Sequence, residues 1–149
     1  ADEYIDAMKE LWTSGVPKFS GNHVQLDGGF ELLPRPARAG GVAVVIGGHS
    51  RAAARRAARR GDGFFPFTVD PETLPALYDL VRSEAGALGR PMDEIELIGP
   101  SAATPGWTQR LEDLGVTQAV LPSGPSDLSY EAFTARMTRF SDRVIAKAR

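Results

Sequence analysis

Two adjacent glycines, Gly47 and Gly48, separate an apolar run from a basic segment in "VAVVIGGHSRAAARRAARRGDGFFPF", residues 42–67. Glycines at such a point let backbone approach a ligand closely. Ser50 can cap the helix that follows, whose free N–H groups and dipole attract an anion. Arg51, in its first turn, is near enough to touch that anion, and Thr68, at the end of the next apolar run, could donate a hydroxyl to it. The chemistry these residues suit is phosphate binding. A plain strand-to-helix turn with a serine N-cap accounts for the same residues, because a bare Gly-Gly falls well short of a full phosphate-loop signature. His49 is the one histidine of this loop, and a lone loop histidine is a weak signal for acid–base catalysis. No Ser/His/Asp spacing, His/Asp/Glu metal cluster or pair of carboxylates at strand ends accompanies it. No catalytic residue and no metal ligand is therefore assigned.

The elements that would position this loop follow from periodicity. Residues 2–12 predict an amphipathic helix, with Tyr4, Ile5, Met8, Leu11 and Trp12 at helical spacing and Gly15 and Pro17 ending it. Residues 16–36 carry short apolar segments broken by Gly21, Asn22 and "DGG", which predicts a small hairpin. Residues 42–46 read as a strand buried on both faces. Residues 50–60 predict a helix with Ala53, Ala54, Ala57 and Ala58 inward. Its arginines fall in two stripes, Arg51, Arg55 and Arg59 in one and Arg56 and Arg60 in the other, on a solvated outer face beside acidic neighbours. Residues 63–67 predict a second strand. Asp62, just before it, is expected to bond loop backbone and stabilise the fold. Asp70 is expected to cap the next helix with Pro71 in its first turn, and Leu74, Leu77, Tyr78 and Val81 to form its apolar stripe. Strands over 94–98 and 118–121 and helices over 107–114 and 130–148 complete the chain.

Alternating strands and helices imply an α/β fold with a parallel sheet. Four consecutive strand–helix units fit an open doubly wound sheet or half of a (β/α)8 TIM barrel. The leading helix favours the half barrel. In either case the functional end is the set of loops after the strands: 47–50, 66–70, 99–106 and 122–127.

The totals set bounds. The chain has 149 residues, with 42% hydrophobic and 24% charged, enough for a single domain over 1–149 with a real core. A net charge of −2 argues against nucleic acid as a partner. The lack of cysteine excludes disulfides, thiol catalysis and thiolate metal sites. No apolar run is long enough for a membrane span, and the first residues lack a signal-like pattern, so the expected location is cytoplasmic.

The joint pattern of "EYIDAMKELWTSGVPKFSGNHVQL", "PRP", "VAVVIGGHSRAAARRAARRGDGFFPF" and "LEDLGVTQAVLP" resembles the bacterial luciferase-like monooxygenases. The likeness is nearest to their branch that uses 8-hydroxy-5-deazaflavin (coenzyme F-420), and it covers nearly the whole chain. The resemblance implies the C-terminal half of a (β/α)8 TIM barrel, preceded by a helix and a hairpin insertion that helps close the pocket. It implies coenzyme F-420, or alternatively FMN, at the mouth. Ile46, Gly47 and Gly48 would contact the cofactor's phosphate or ribityl tail through backbone, Phe67 and Thr68 would line the next strand end, and His49 and Ser50 would stand at the variable position and helix start. The expected reaction is hydride transfer to or from a small organic substrate. Strands one to four of the family pattern are absent, so the chain is expected to form a homodimer, to associate with a missing N-terminal half, or to be part of a longer enzyme. Two other readings stand beside this one: a catalytically inactive half barrel used for assembly or binding, and a phosphate-ligand binder in an open α/β domain.

Overall fold

The computed structural model describes residues 1–67, 70–100, 104–120 and 127–143. Helix α1 (Asp2–Thr13) leads into an antiparallel hairpin, β1 (Lys18–Ser20) and β2 (Gln25–Asp27). Then β3 (Val45–Gly47), α2 (Arg51–Arg60), β4 (Gly63–Phe65), α3 (Leu74–Ala87), β5 (Glu96–Gly99), α4 (Pro105–Asp113), β6 (Gln118–Ala119) and α5 (Tyr130–Arg143) alternate. Strands β3 to β6 form one parallel sheet in sequence order.

That order decides between the two architectures. Right-handed crossovers that always step in the same direction place every helix on one face of the sheet, whereas a doubly wound sheet reverses its order and covers both faces. Ile46, Phe64 and Leu97 pair in one row across β3, β4 and β5 and are all buried. They share a core with the alanines of α2, with Leu74, Leu77, Tyr78 and Val81 of α3, and with Leu111 of α4. The sheet is thus covered on one side, as in half of a (β/α)8 barrel.

The one-sided cover corrects the reading of the first core strand. Residues 42–46 are not a strand buried on both faces. The strand is Val45–Gly47, at the sheet edge among the described residues, and only Ile46 faces the helices. Val45 is 45% exposed, because the face it points to carries no helix, and Val42, 52% exposed, lies before the strand begins. Strand β5 begins at Glu96, later than expected, because Met92–Glu94 makes a 3₁₀ turn. Helix α4 starts earlier, since the Thr104 hydroxyl accepts from the Trp107 N–H and Pro105 suits the first turn. Asp70 does not cap α3. Its carboxylate accepts from the Glu72 N–H at 3.1 Å and closes a turn, and Thr73 takes the N-cap position. The ends of the predicted strand 118–121 and of the final helix lie outside the described residues.

The arginine helix is held from both sides. Arg56 donates to Asp2, and Arg60 donates to Asp6 at 2.8 Å, which ties one stripe of α2 to α1. Arg55 and Arg59 reach Glu84 of α3 at 2.9 and 3.3 Å. The guanidinium of Arg55 holds the Glu84 carboxyl below its ordinary value. Each pair is partly exposed and worth little alone, but two stripes with opposite partners fix the rotation of α2, and with it the loop at its start. Asp62 does bond loop backbone: its Oδ2 accepts from the Val44 N–H at 2.8 Å. Among the described residues no helix is long and apolar enough to cross a membrane.

The hairpin hangs on α1 through a carboxylate. Glu3 accepts from the backbone N–H groups of Asn22, His23 and Val24 at 3.0, 2.6 and 2.7 Å. A side chain at position 21 would collide with Glu3, so Gly21 is required by the approach itself. The bond from His23 leads in holding the Glu3 carboxyl below its ordinary 4.5, against a smaller opposing cost of desolvation. A lowered folded value means that the clamp contributes above pH 4.5 and is lost as pH falls through the folded value. The amide resonances of residues 22–24 should therefore move together in an acid titration, with a midpoint below 4.5. Glu3→Ala should abolish that shared transition and leave the resonances of α2 in place.

Candidate functional site

The carboxyl ends of β3, β4, β5 and β6 lie at one edge of the sheet, where the loops after the strands gather. The first of these loops is the glycine pair. Gly48 sits at φ +121°, a conformation that L side chains rarely adopt. Its N–H donates to the Phe65 carbonyl at 3.2 Å and stitches the loop to β4. A Cβ here would also stand 3.2 Å from that of Ala53. Gly48→Ala should accordingly lose about 1–3 kcal/mol of stability through backbone strain, measurable as a shift in urea midpoint at unchanged slope.

Gly47 is different. Its φ is ordinary, and among the described residues a Cβ there would meet nothing nearer than the Phe65 carbonyl oxygen at 4.0 Å. Nothing among the described residues requires glycine at 47, and among them the space beside it is open. The Ser50 hydroxyl accepts from the Ala53 N–H at 3.1 Å and its carbonyl from the Ala54 N–H at 3.1 Å, so Ser50 is the N-cap of α2. The next two N–H groups, of Arg51 and Ala52, have no partner among the described residues. They point out of the helix start with the positive end of its dipole, and no acidic side chain occupies that first turn.

The other predicted residues fall as follows. The Ile46 side chain is buried under α2, so only its backbone reaches the mouth. His49 and Arg51 are exposed. Phe67 is 65% exposed just beyond β4. Thr68 and the loop residues 101–103 and 122–126 lie outside the described residues. The structure therefore brings Gly47, Gly48, Ser50, Arg51 and Phe67 to one end of the sheet.

Phe65 was missed by sequence reasoning. It sits beside Gly47 in the β3–β4 register, half-buried on the face without helices, and its ring meets that of Phe67 edge-to-face at 5.6 Å. Phe64, its neighbour, is wholly buried against Tyr78. The period-2 alternation of a strand separates the two rings to opposite faces. That signal was present in "GFFPF" and is legible once the strand is known to be covered on one side only.

A family profile described as luciferase-like monooxygenase matches residues 1–122. An uncharacterised protein of Mycobacterium tuberculosis is 32% identical over 98% of this chain and 52% of its own length. An FMNH(2)-dependent dimethylsulfone monooxygenase of Pseudomonas putida is 32% identical over 60% of this chain and 24% of its own. Among solved structures, a monooxygenase from Streptomyces bottropensis superposes with a TM-score of 0.73 over 99% of this chain and 60% of that one, at 15% identity. The chain spans about half the length of the curated relatives that match it end to end.

Proposed function

The chain belongs to the luciferase-like monooxygenase family, and from that membership we propose that it forms the phosphate-binding wall of a flavin-type cofactor site in an oxidoreductase acting on a small organic substrate. The observation that carries the reading is the loop between β3 and α2. It combines an open space at Gly47 with two N–H groups, of Arg51 and Ala52, that lack partners among the described residues. The phosphate of a ribityl tail suits that pairing: helix-start amides bind the anion, and the glycine leaves room for the tail to pass.

In this reading Ile46, Gly47 and Gly48 offer backbone, Arg51 adds a guanidinium at the rim, and Phe67 and Thr68 stand at the neighbouring strand end. His49 and Ser50 hold the turn between them. The Gly48 N–H is taken by Phe65, so Gly48 shapes the loop while Arg51 and Ala52 supply the donors. The bound cofactor would supply the redox step, a hydride to or from substrate. An FMNH(2)-dependent relative supports a flavin. Coenzyme F-420, whose ribityl chain also carries a phosphate, is the second candidate.

Titration of the protein with FMN and with coenzyme F-420, followed by ligand fluorescence, tests the reading. Saturable binding of either is expected, and the tighter one names the cofactor. No binding of either at high micromolar concentration overturns it.

The bare sheet face supports a second element of the proposal. Val45 is half-exposed at the β3 edge, and an uncovered face with unpaired strand edges is prone to associate. We propose that the barrel is completed by an N-terminal half or by a second copy of this chain. Light scattering that returns a well-folded monomer of the 149-residue chain would sink that proposal.

A further inference from the structure

We propose that the Tyr78 hydroxyl stands in for a backbone N–H that Pro66 cannot supply, which makes Tyr78 the positioning residue of the seam between β4 and β5 at the mouth. The inference stands on the strand ladders and does not depend on the cofactor reading. At their carboxyl ends the two outer seams of the described sheet are closed. Gly47 pairs with Phe65, and the Gly48 N–H adds a bond to the Phe65 carbonyl at 3.2 Å. Gly99 pairs with Ala119, and the Val120 N–H adds a bond to the Gly99 carbonyl at 3.1 Å. The middle seam stops sooner. Its register holds Gly63 to Glu96 and Phe64 to Leu97, and leaves Phe65 and Ile98 unpaired across it.

Bond direction explains the early stop. Successive residues of a strand turn their N–H and C=O groups to opposite sides. The Phe65 carbonyl serves β3, so the backbone of residue 66 faces β5. The Gly99 carbonyl serves β6, so that of Ile98 faces β4. Continuing the register sets the Ile98 carbonyl against the nitrogen of residue 66. That residue is proline, which has no N–H to give. The Phe67 N–H does not reach Ile98 in its stead. The Tyr78 hydroxyl of α3 donates to that carbonyl at 3.0 Å instead. Pro66 and Tyr78 are both fully buried, so the bond is made within the layer that the helices cover. Burial also pushes the Tyr78 hydroxyl above its ordinary value, which keeps it protonated and able to donate. The pair β3–β4, with the glycine loop, thus meets the pair β5–β6 at the mouth across one side-chain bond. A bond of that kind can open locally while the ladders on either side stay closed.

Carbonyl ¹³C resonances and a double-mutant cycle test the proposal. Tyr78→Phe keeps the ring and removes only the hydroxyl. It should shift the Ile98 carbonyl resonance upfield and lower the folding equilibrium constant by about tenfold, as the loss of a partner for a buried acceptor does. Pro66→Ala returns an N–H to the missing rung. In that background Tyr78→Phe should leave the equilibrium constant nearly unchanged, since the ladder now serves the carbonyl. The new amide at position 66 should resist hydrogen exchange there. A tyrosine that acts by ring packing alone would give none of these results, because phenylalanine packs in the same way. Equal losses from Tyr78→Phe in both backgrounds overturn the proposal, as does an Ile98 carbonyl resonance that stays in place when the hydroxyl is removed. Should Pro66→Ala fail to fold, the resonance decides by itself: an upfield shift in Tyr78→Phe sustains the proposal and an unmoved one overturns it.

Discussion

Replacing Phe64 with alanine is expected to lower the unfolding free energy by about 3–5 kcal/mol, the range for emptying a large buried aromatic site. Phe64 is fully buried, stands centrally in the row Ile46–Phe64–Leu97, and meets Tyr78 edge-to-face at 6.2 Å. Its removal opens a void between the sheet and α3. The Tyr78 hydroxyl donates to the Ile98 carbonyl at 3.0 Å, which anchors that ring and hinders collapse into the void. Domains of this kind have only about 5–15 kcal/mol to lose, so the variant should approach half-unfolded conditions at modest urea. Phe65→Ala, one residue away, should lose less than half as much, because its ring lies on the face without helices. The comparison by urea melts tests the one-sided architecture directly. A Phe65→Ala loss equal to that of Phe64→Ala would mean that both faces are covered.

The same pair of rings shows what the sequence made legible. The α/β order, the alanine face of α2, the apolar stripe of α3 and the serine cap at residue 50 were all readable, because each is a local pattern repeated at the period of its element. The faces of the strands were not. "VAVVI" reads as buried on both sides because apolar alternation is blurred in a β-branched run. Only the placement of the helices on one side reveals that Val45 faces away from them. The arginine stripes carried a periodic signal, but their partners Asp2, Asp6 and Glu84 lie on two other helices, and pairing at that sequence distance leaves no local trace. The start of α3 after Thr73 was masked by the stronger signal of "DPET", in which Asp70 closes its own turn first. The glycine pair was legible as a loop but not as two different glycines. Gly48 is fixed by its conformation and Gly47 by nothing within the described fold.

That difference predicts the largest functional effect. Gly47→Leu should leave the melting temperature close to wild type and weaken FMN by at least about tenfold, or about 1.4 kcal/mol. The φ of residue 47 lies outside the range that L side chains rarely adopt, and among the described residues its Cβ would have no atom nearer than the Phe65 carbonyl oxygen at 4.0 Å. A leucine there projects from the bare face into open space, so folding has little to resist. A molecule whose phosphate rests on the Arg51 and Ala52 N–H groups must carry its tail through that same space, and the side chain blocks it. Gly48→Ala offers the opposite pattern, with stability lost first and any loss of affinity following from a disturbed loop. Fluorescence titration beside thermal melts distinguishes the two variants. Undiminished FMN affinity in a stable Gly47→Leu protein would show that the tail does not pass the glycine, and the anion site at the start of α2 would then have to serve a ligand approaching from the other side.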